Sequence, residues 1–212
     1  MLNLVQSIDA SRISFLSVQL SESKVIVAGD FSQEGLSKFT AEKASVSSSK
    51  AGVDFFSCKI LAKKDSAELQ RFLKSCDFIA VRGSSPEMCS WAANSKGVDL
   101  LLQPFSPEKC FLDVQTANVL RDSNVFVCIL FSDFLECDGF RLGQLLKNAA
   151  ICLRLCENAG TGVLLVSGAK NESQLRASKD MYSFGAMLGM KKEAALRAVR
   201  ENPELFLKRL KK

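Results

Sequence analysis

The chain has 212 residues, 47% of them hydrophobic and 24% charged, with a formal net charge of +5. That length and balance suit one globular domain with a substantial core and are too small for two full α/β domains. There is no histidine, so the commonest general base and metal ligand is missing, and Ser-His-Asp or Cys-His nucleophile systems are excluded.

Taken in chain order, strand-like and helix-like segments alternate with short connections. Leu2–Gln6 is the first strand candidate. Its surroundings lack the basic n-region and long apolar stretch of a secretory signal. Lys24–Ala28 follows and ends at Gly29-Asp30. Ser45–Lys50 is serine-rich and reads as a solvated loop or helix end. Val53–Ile60 is a strand, Ser66–Cys76 a helix and Phe78–Val81 another strand. Ser85-Pro86-Glu87 then opens a helix over Pro86–Ser95, with Ser85 as N-cap and proline in the first turn. Val98–Leu102 is a strand and Leu112–Asp122 a helix.

Val125–Phe131 is the longest apolar strand. In Phe140–Glu157, residues Leu142, Leu145, Leu146, Ala149, Leu153 and Cys156 follow helical spacing, with Lys147 and Arg154 on the opposite face. This predicts one amphipathic helix laid on a sheet. Gly162–Val166 is the last strand and Lys179–Leu188 a helix. Gly189 stands where a left-handed C-terminal residue is expected. Asn202-Pro203 interrupts the final helical region and restarts it, ahead of the basic Lys208–Lys212 ending.

The strands read as continuous apolar runs, Leu100–Leu102 and Val125–Leu130 most clearly, as in a parallel sheet buried on both faces. About seven βα units predict a single-domain parallel α/β barrel, TIM-barrel-like, over residues 1–212. No dinucleotide fingerprint or phosphate-binding P-loop follows any strand. No apolar run approaches the ~20 residues of a membrane span. The eight cysteines lie mostly inside apolar segments without a C-x-x-C pair, as buried free thiols do. A reducing, cytoplasmic setting is expected.

Functional groups of a parallel barrel gather where strands end. Those junctions offer Asp30, Lys59, Arg82 with Gly83, Gln103, Asp133 with Glu136, and Ser167 to Lys170. Asp30, Asp133 and Glu136 are the carboxylates that a divalent metal would need, as in a stand-alone barrel phosphoesterase. Helix-start carboxylates explain them as simply, so no metal site is assigned. Arg82, Lys170, Arg176 and Lys179 fall on strand-to-helix junctions. Together they would form a phosphate-contacting rim, although a solvated surface cation accounts for each one alone. Trp91 belongs to an amphipathic helix and reads as core or interface.

Several stretches resemble the archaeal ribonuclease P protein component 3 family, which has eukaryotic relatives. They are Phe78–Gly83 followed by Lys96–Leu101, then Val163–Ala169 running into Leu175–Asp180. The series closes with Leu188-Gly189-Met190, Ala194–Val199, Asn202-Pro203-Glu204 and Leu207–Lys211. The resemblance covers roughly residues 75–212. It implies a barrel of about seven strands related to metal-dependent phosphoesterases but without their histidine-rich site.

The resemblance also implies a subunit of ribonuclease P, the endonuclease that removes the 5′ leader from precursor tRNA. In that particle RNA performs the cleavage and uses Mg²⁺, and no cofactor is bound by the protein itself. The implied partners are the ribonuclease P RNA, precursor tRNA, protein component 2 and the other protein subunits, with no membrane. Arg176 and Asp180 match the family motif, with Asp180 as a structural or rim partner, and Lys179 stands where relatives often have arginine. The chain departs from the pattern at Asp113-Val114, where a histidine is missing, and at Ser178, where relatives carry proline. It departs again at Phe131-Ser132-Asp133-Phe134, where relatives often read Ser-Leu-Arg-Pro.

Overall fold

A computed structural model describes residues 2–6, 24–29 and 54–208. Its seven strands are β1 (Leu2–Val5), β2 (Lys24–Gly29), β3 (Asp54–Leu61), β4 (Phe78–Arg82), β5 (Leu100–Leu102), β6 (Phe126–Leu130) and β7 (Val163–Val166). All neighbouring pairs are parallel, and their order in the sheet is their order in the chain. A strand order that never reverses curls the sheet one way, into a barrel rather than a doubly wound sheet.

The seam lies between β1 and β7. Val5 bridges Ala169 in parallel, and the Gln6 amide donates to the Ala169 carbonyl at 2.7 Å. Asn3 fastens the same seam from inside the protein. Its Oδ1 accepts from the Ser167 amide at 2.9 Å and the Ser167 hydroxyl at 2.8 Å, and its Nδ2 donates to the Arg176 carbonyl at 3.1 Å.

Alternation along each strand separates two cores. Leu4, Ile26, Cys58, Ala80, Leu102, Cys128 and Val166 fill the barrel. Val5, Val27, Phe55, Val81, Leu101, Ile129 and Leu165 face outward onto helices. Those helices are α1 (Ser66–Phe72), α2 (Pro86–Asn94), α3 (Val114–Asp122), α4 (Ser132–Leu135), α5 (Gly139–Ala159), α6 (Ser178–Met187), α7 (Lys192–Leu196) and α8 (Asn202–Leu207). Side chains set their starts: Asp65 accepts from the Glu68 amide at 2.8 Å, Ser85 from Met88 at 3.2 Å and Asp113 from Thr116 at 2.6 Å. Each such cap satisfies an otherwise orphaned donor. Gly189 closes the turn after α6 with φ of 87°, as its position predicts.

The far end of the chain plugs the barrel. Phe206 is fully buried, stacked on Phe78 with ring centroids 4.4 Å apart and edge-on to Phe126 at 5.6 Å. Phe78 and Phe126 open their strands, so the plug closes the N-terminal end. Asn202 ties it down by donating to the Val163 carbonyl at 2.7 Å. Lys208 follows two residues after Phe206, and residues 209–212 lie outside the described residues.

The expected strands and long helices are present, with ends moved by a residue or two, as at Leu100 and Val114, except that the helix expected over Ser66–Cys76 already ends at Phe72. Three local features differ from expectation. Phe131 has already turned helical, with φ −64° and ψ −34°, and starts the short helix α4 where a strand end was expected. A π-helical turn over Arg197–Glu201 joins α7 to α8. Lys59 is not a rim cation: it lies within β3, almost fully buried, with its ammonium 2.9 Å from Glu68 and over the ring of Phe72. Phe72 and Glu68 belong to α1, so Lys59 pins that helix to the sheet. Asp30 and Ser45–Lys50 lie outside the described residues.

Candidate functional site

The C-terminal mouth of the barrel is where strand parity aims polar side chains. Phe78 and Ala80 face the interior, so Arg82, two residues on, shares that face at the top of β4. Its guanidinium forms an ion pair with Asp133 on α4. Asp133 is mostly buried and Arg82 remains 38% exposed. Beneath them, burial pushes the Cys128 thiol far up, with smaller opposing effects from Arg82 and Asp133.

Two more cations meet the same short segment after β6. Lys170 places its ammonium 2.5 Å from Glu136. Arg176 donates to the carbonyls of Ser173 at 2.7 Å and Leu175 at 2.9 Å, and its guanidinium sits 5.5 Å from the ring centre of Phe131. Phe131, Asp133 and Glu136 thus gather Arg82, Lys170 and Arg176 into one rim. Asp133 occupies the place where the resemblance puts arginine, and there it holds Arg82.

The floor of this rim is polar and strained. Gln103 adopts φ of 47°, rare for a residue other than glycine. Its Oε1 accepts from the Leu130 amide at 3.0 Å, whereas its Nε2 is buried and unpartnered among the described residues, as are Gln6 Nε2 and Ser132 Oγ. Each such orphan costs roughly 1–3 kcal/mol. Gly168 has φ of 60°, and a Cβ there would lie 2.8 Å from both Leu130 Cβ and Ser132 Oγ, so the chain passes here only as glycine.

Asp180 and Lys179 do not join the rim. The Asp180 carboxylate accepts from the Ala177 amide at 3.1 Å and caps the start of α6; it makes no ion pair with Arg176 among the described residues. Lys179 is exposed in the first turn of α6 and lines a groove on the outer wall with Lys192 and Arg200. Lys192 and Arg200 carry no motif that marks them in the sequence, because eight residues on a regular helix leave two side chains about 80° apart. Asp133 and Glu136 are engaged by cations, and no group of three potential metal-ligating side chains is assembled among the described residues. No described helix is long and apolar enough to cross a membrane.

Fold and site together define a seven-stranded parallel barrel with a mouth of paired cations and carboxylates. The chain matches the family described as RNase P subunit p30 over residues 32–212. It belongs to the RNase P subunit p30 family. Ribonuclease P protein component 3 of Methanococcoides burtonii is 27% identical over 178 residues, covering 82% of this chain and 74% of that protein. The same component of Methanosarcina barkeri is 26% identical over 139 residues, and the match spans 58% of its length. A chain in the cryo-EM structure of archaeal ribonuclease P with mature tRNA shares the fold. It has a TM-score of 0.85 at 18% identity, covering 99% of this chain and 91% of that one.

Proposed function

We propose that this chain is a protein subunit of ribonuclease P, the ribonucleoprotein endonuclease that removes the 5′ leader from precursor tRNA. Its partners on this reading are the ribonuclease P RNA, precursor tRNA, protein component 2 and the other protein subunits. The observation that carries the reading is the family match over residues 32–212.

Within the particle the chain supports a catalytic RNA and performs no cleavage itself. The absence of histidine supports this, and so does the state of the mouth carboxylates. Asp133 and Glu136 neutralise Arg82 and Lys170, where a two-carboxylate metal hydrolase would leave them free for a cation. Divalent metal is used by the RNA, and the protein holds no cofactor.

Arg82, Lys170, Arg176 and Lys179 supply contacts to RNA phosphates. Phosphate contact releases counterions, so affinity falls steeply with salt. Binding of the purified chain to ribonuclease P RNA, followed by filter retention across a KCl series, tests this. A linear fall in log affinity with log salt is expected, with a shallower slope for Arg176→Ala. Salt-independent binding, or phosphoester hydrolysis by the protein alone that Asp133→Ala abolishes, would favour the stand-alone phosphoesterase.

A further inference from the structure

The outer wall of the barrel carries a groove of about 420 Å³ between α6 and the segment formed by α7 and the π turn. That size falls within the roughly 300–1,000 Å³ of small-ligand sites. Lys179, Tyr182 and Ser183 supply the α6 wall, and Lys192, Leu196 and Arg200 the facing one. The π turn, closed by the Asn202 amide on the Arg197 carbonyl, lets the consecutive residues Val199 and Arg200 both reach the groove.

Its charge differs from that of the mouth. No acidic side chain lines the groove. Among the described residues, Lys179, Lys192 and Arg200 form no ion pair, whereas Arg82 and Lys170 are neutralised. Tyr182 is half-buried against the core, so its ring is held in place. A fixed aromatic on one cationic wall, facing a second, is the donor set for an unstacked nucleotide, with base on ring and phosphates on the cations.

We propose that this groove takes one nucleotide of a single-stranded RNA segment, its base on Tyr182 and its flanking phosphates on Lys179, Lys192 and Arg200. The inference rests on the reading of the chain as an RNA-bound subunit and adds a site on the outer wall, beside the rim at Lys179. Loss of the stacked base lowers affinity by roughly 5- to 150-fold, the equivalent of about 1–3 kcal/mol per base. Each lost phosphate contact to single-stranded RNA reduces the salt slope by about 0.7.

The test is binding of the full chain to ribonuclease P RNA across a KCl series, with a photo-crosslink from RNA containing 4-thiouridine. Lys192→Glu with Arg200→Glu is expected to weaken binding at least about tenfold and to flatten the slope by about 1.4 for two contacts. Tyr182→Phe keeps the ring and should bind as the parent does, whereas Tyr182→Leu should lose at least about fivefold. The crosslink is expected in the peptide holding Tyr182, and Arg154→Glu on α5, which does not line the groove, serves as the charge control. Salt-dependent parental binding that the double variant leaves intact, with crosslinks only outside the groove, overturns the groove alone. Loss of association with another protein subunit and not with RNA overturns it equally. Absence of any RNA binding by the parent overturns the subunit reading itself.

Discussion

Replacing Asn3 with alanine attacks the barrel at its seam. The Asn3 side chain is the acceptor for the buried amide of Ser167 and for that of Leu4, at 2.9 Å each, and the donor to the Arg176 carbonyl. In Asn3→Ala the Ser167 hydroxyl can fall back on the Leu4 carbonyl at 3.3 Å, but the Ser167 amide has no such alternative. Counting roughly 1–3 kcal/mol for each of the two orphaned amides and about 1 kcal/mol for the other bonds gives a cost near 5 kcal/mol. For a domain of this size that lowers Tm by roughly 10–20 °C. Thermal unfolding followed by circular dichroism measures it, and hydrogen exchange should show the Ser167 amide losing protection. A Tm within about 1 °C of the parent would refute the assignment of Asn3 as the fastening of the seam.

Phe206→Ala removes the plug from the barrel's N-terminal end and should cost about 3–5 kcal/mol, read as a fall in the urea midpoint; an unchanged midpoint would mean that the stack on Phe78 and Phe126 is dispensable. Asp133→Asn combined with Glu136→Gln frees Arg82 and Lys170, so affinity for ribonuclease P RNA should rise and its salt slope should steepen by roughly 0.7–0.9 for each additional phosphate neutralised. Unchanged or weaker binding would remove the mouth from the RNA-contacting surface. Stability should fall in alkali. Burial pushes the Cys76 thiol up to about 11 and the Cys89 thiol up to about 12 from 9.0. The unfolded chain therefore sheds protons that the folded one keeps. Their contribution is complete below pH 9.0 and is lost as pH rises toward 11 and then 12. Tm measured from pH 8 upward should decline, and less so in Cys89→Ala; equal declines would contradict this origin.

The barrel was legible in the sequence because parallel strands buried on both faces must be apolar throughout, as Leu100–Leu102 and Phe126–Leu130 are. Ser85 before Pro86 announced α2 for an equally local reason. The rim was legible as residue types but not as an arrangement. Arg82 and Asp133 are 51 positions apart, and Lys170 and Glu136 are 34 apart. Only closure of the sheet brings strand ends together, so neither neutralisation could be read from spacing. Lys59 misled because a lysine at a strand's end reads as exposed, whereas β3 continues to Leu61 and the lysine is covered by α1. Phe206 had no local sign of its role, since one aromatic in a short tail helix packs equally well anywhere apolar.

The most direct test of the account is precursor-tRNA cleavage by the cognate ribonuclease P RNA and its other protein subunits, with and without this chain, across a Mg²⁺ series. Adding the chain is expected to restore cleavage at low Mg²⁺, and Arg176→Ala with Lys179→Ala to lose more of that gain at low than at high Mg²⁺. Cleavage indifferent to the chain at every Mg²⁺ concentration, while it still binds its protein partners, would contradict the account and leave the barrel as a scaffold.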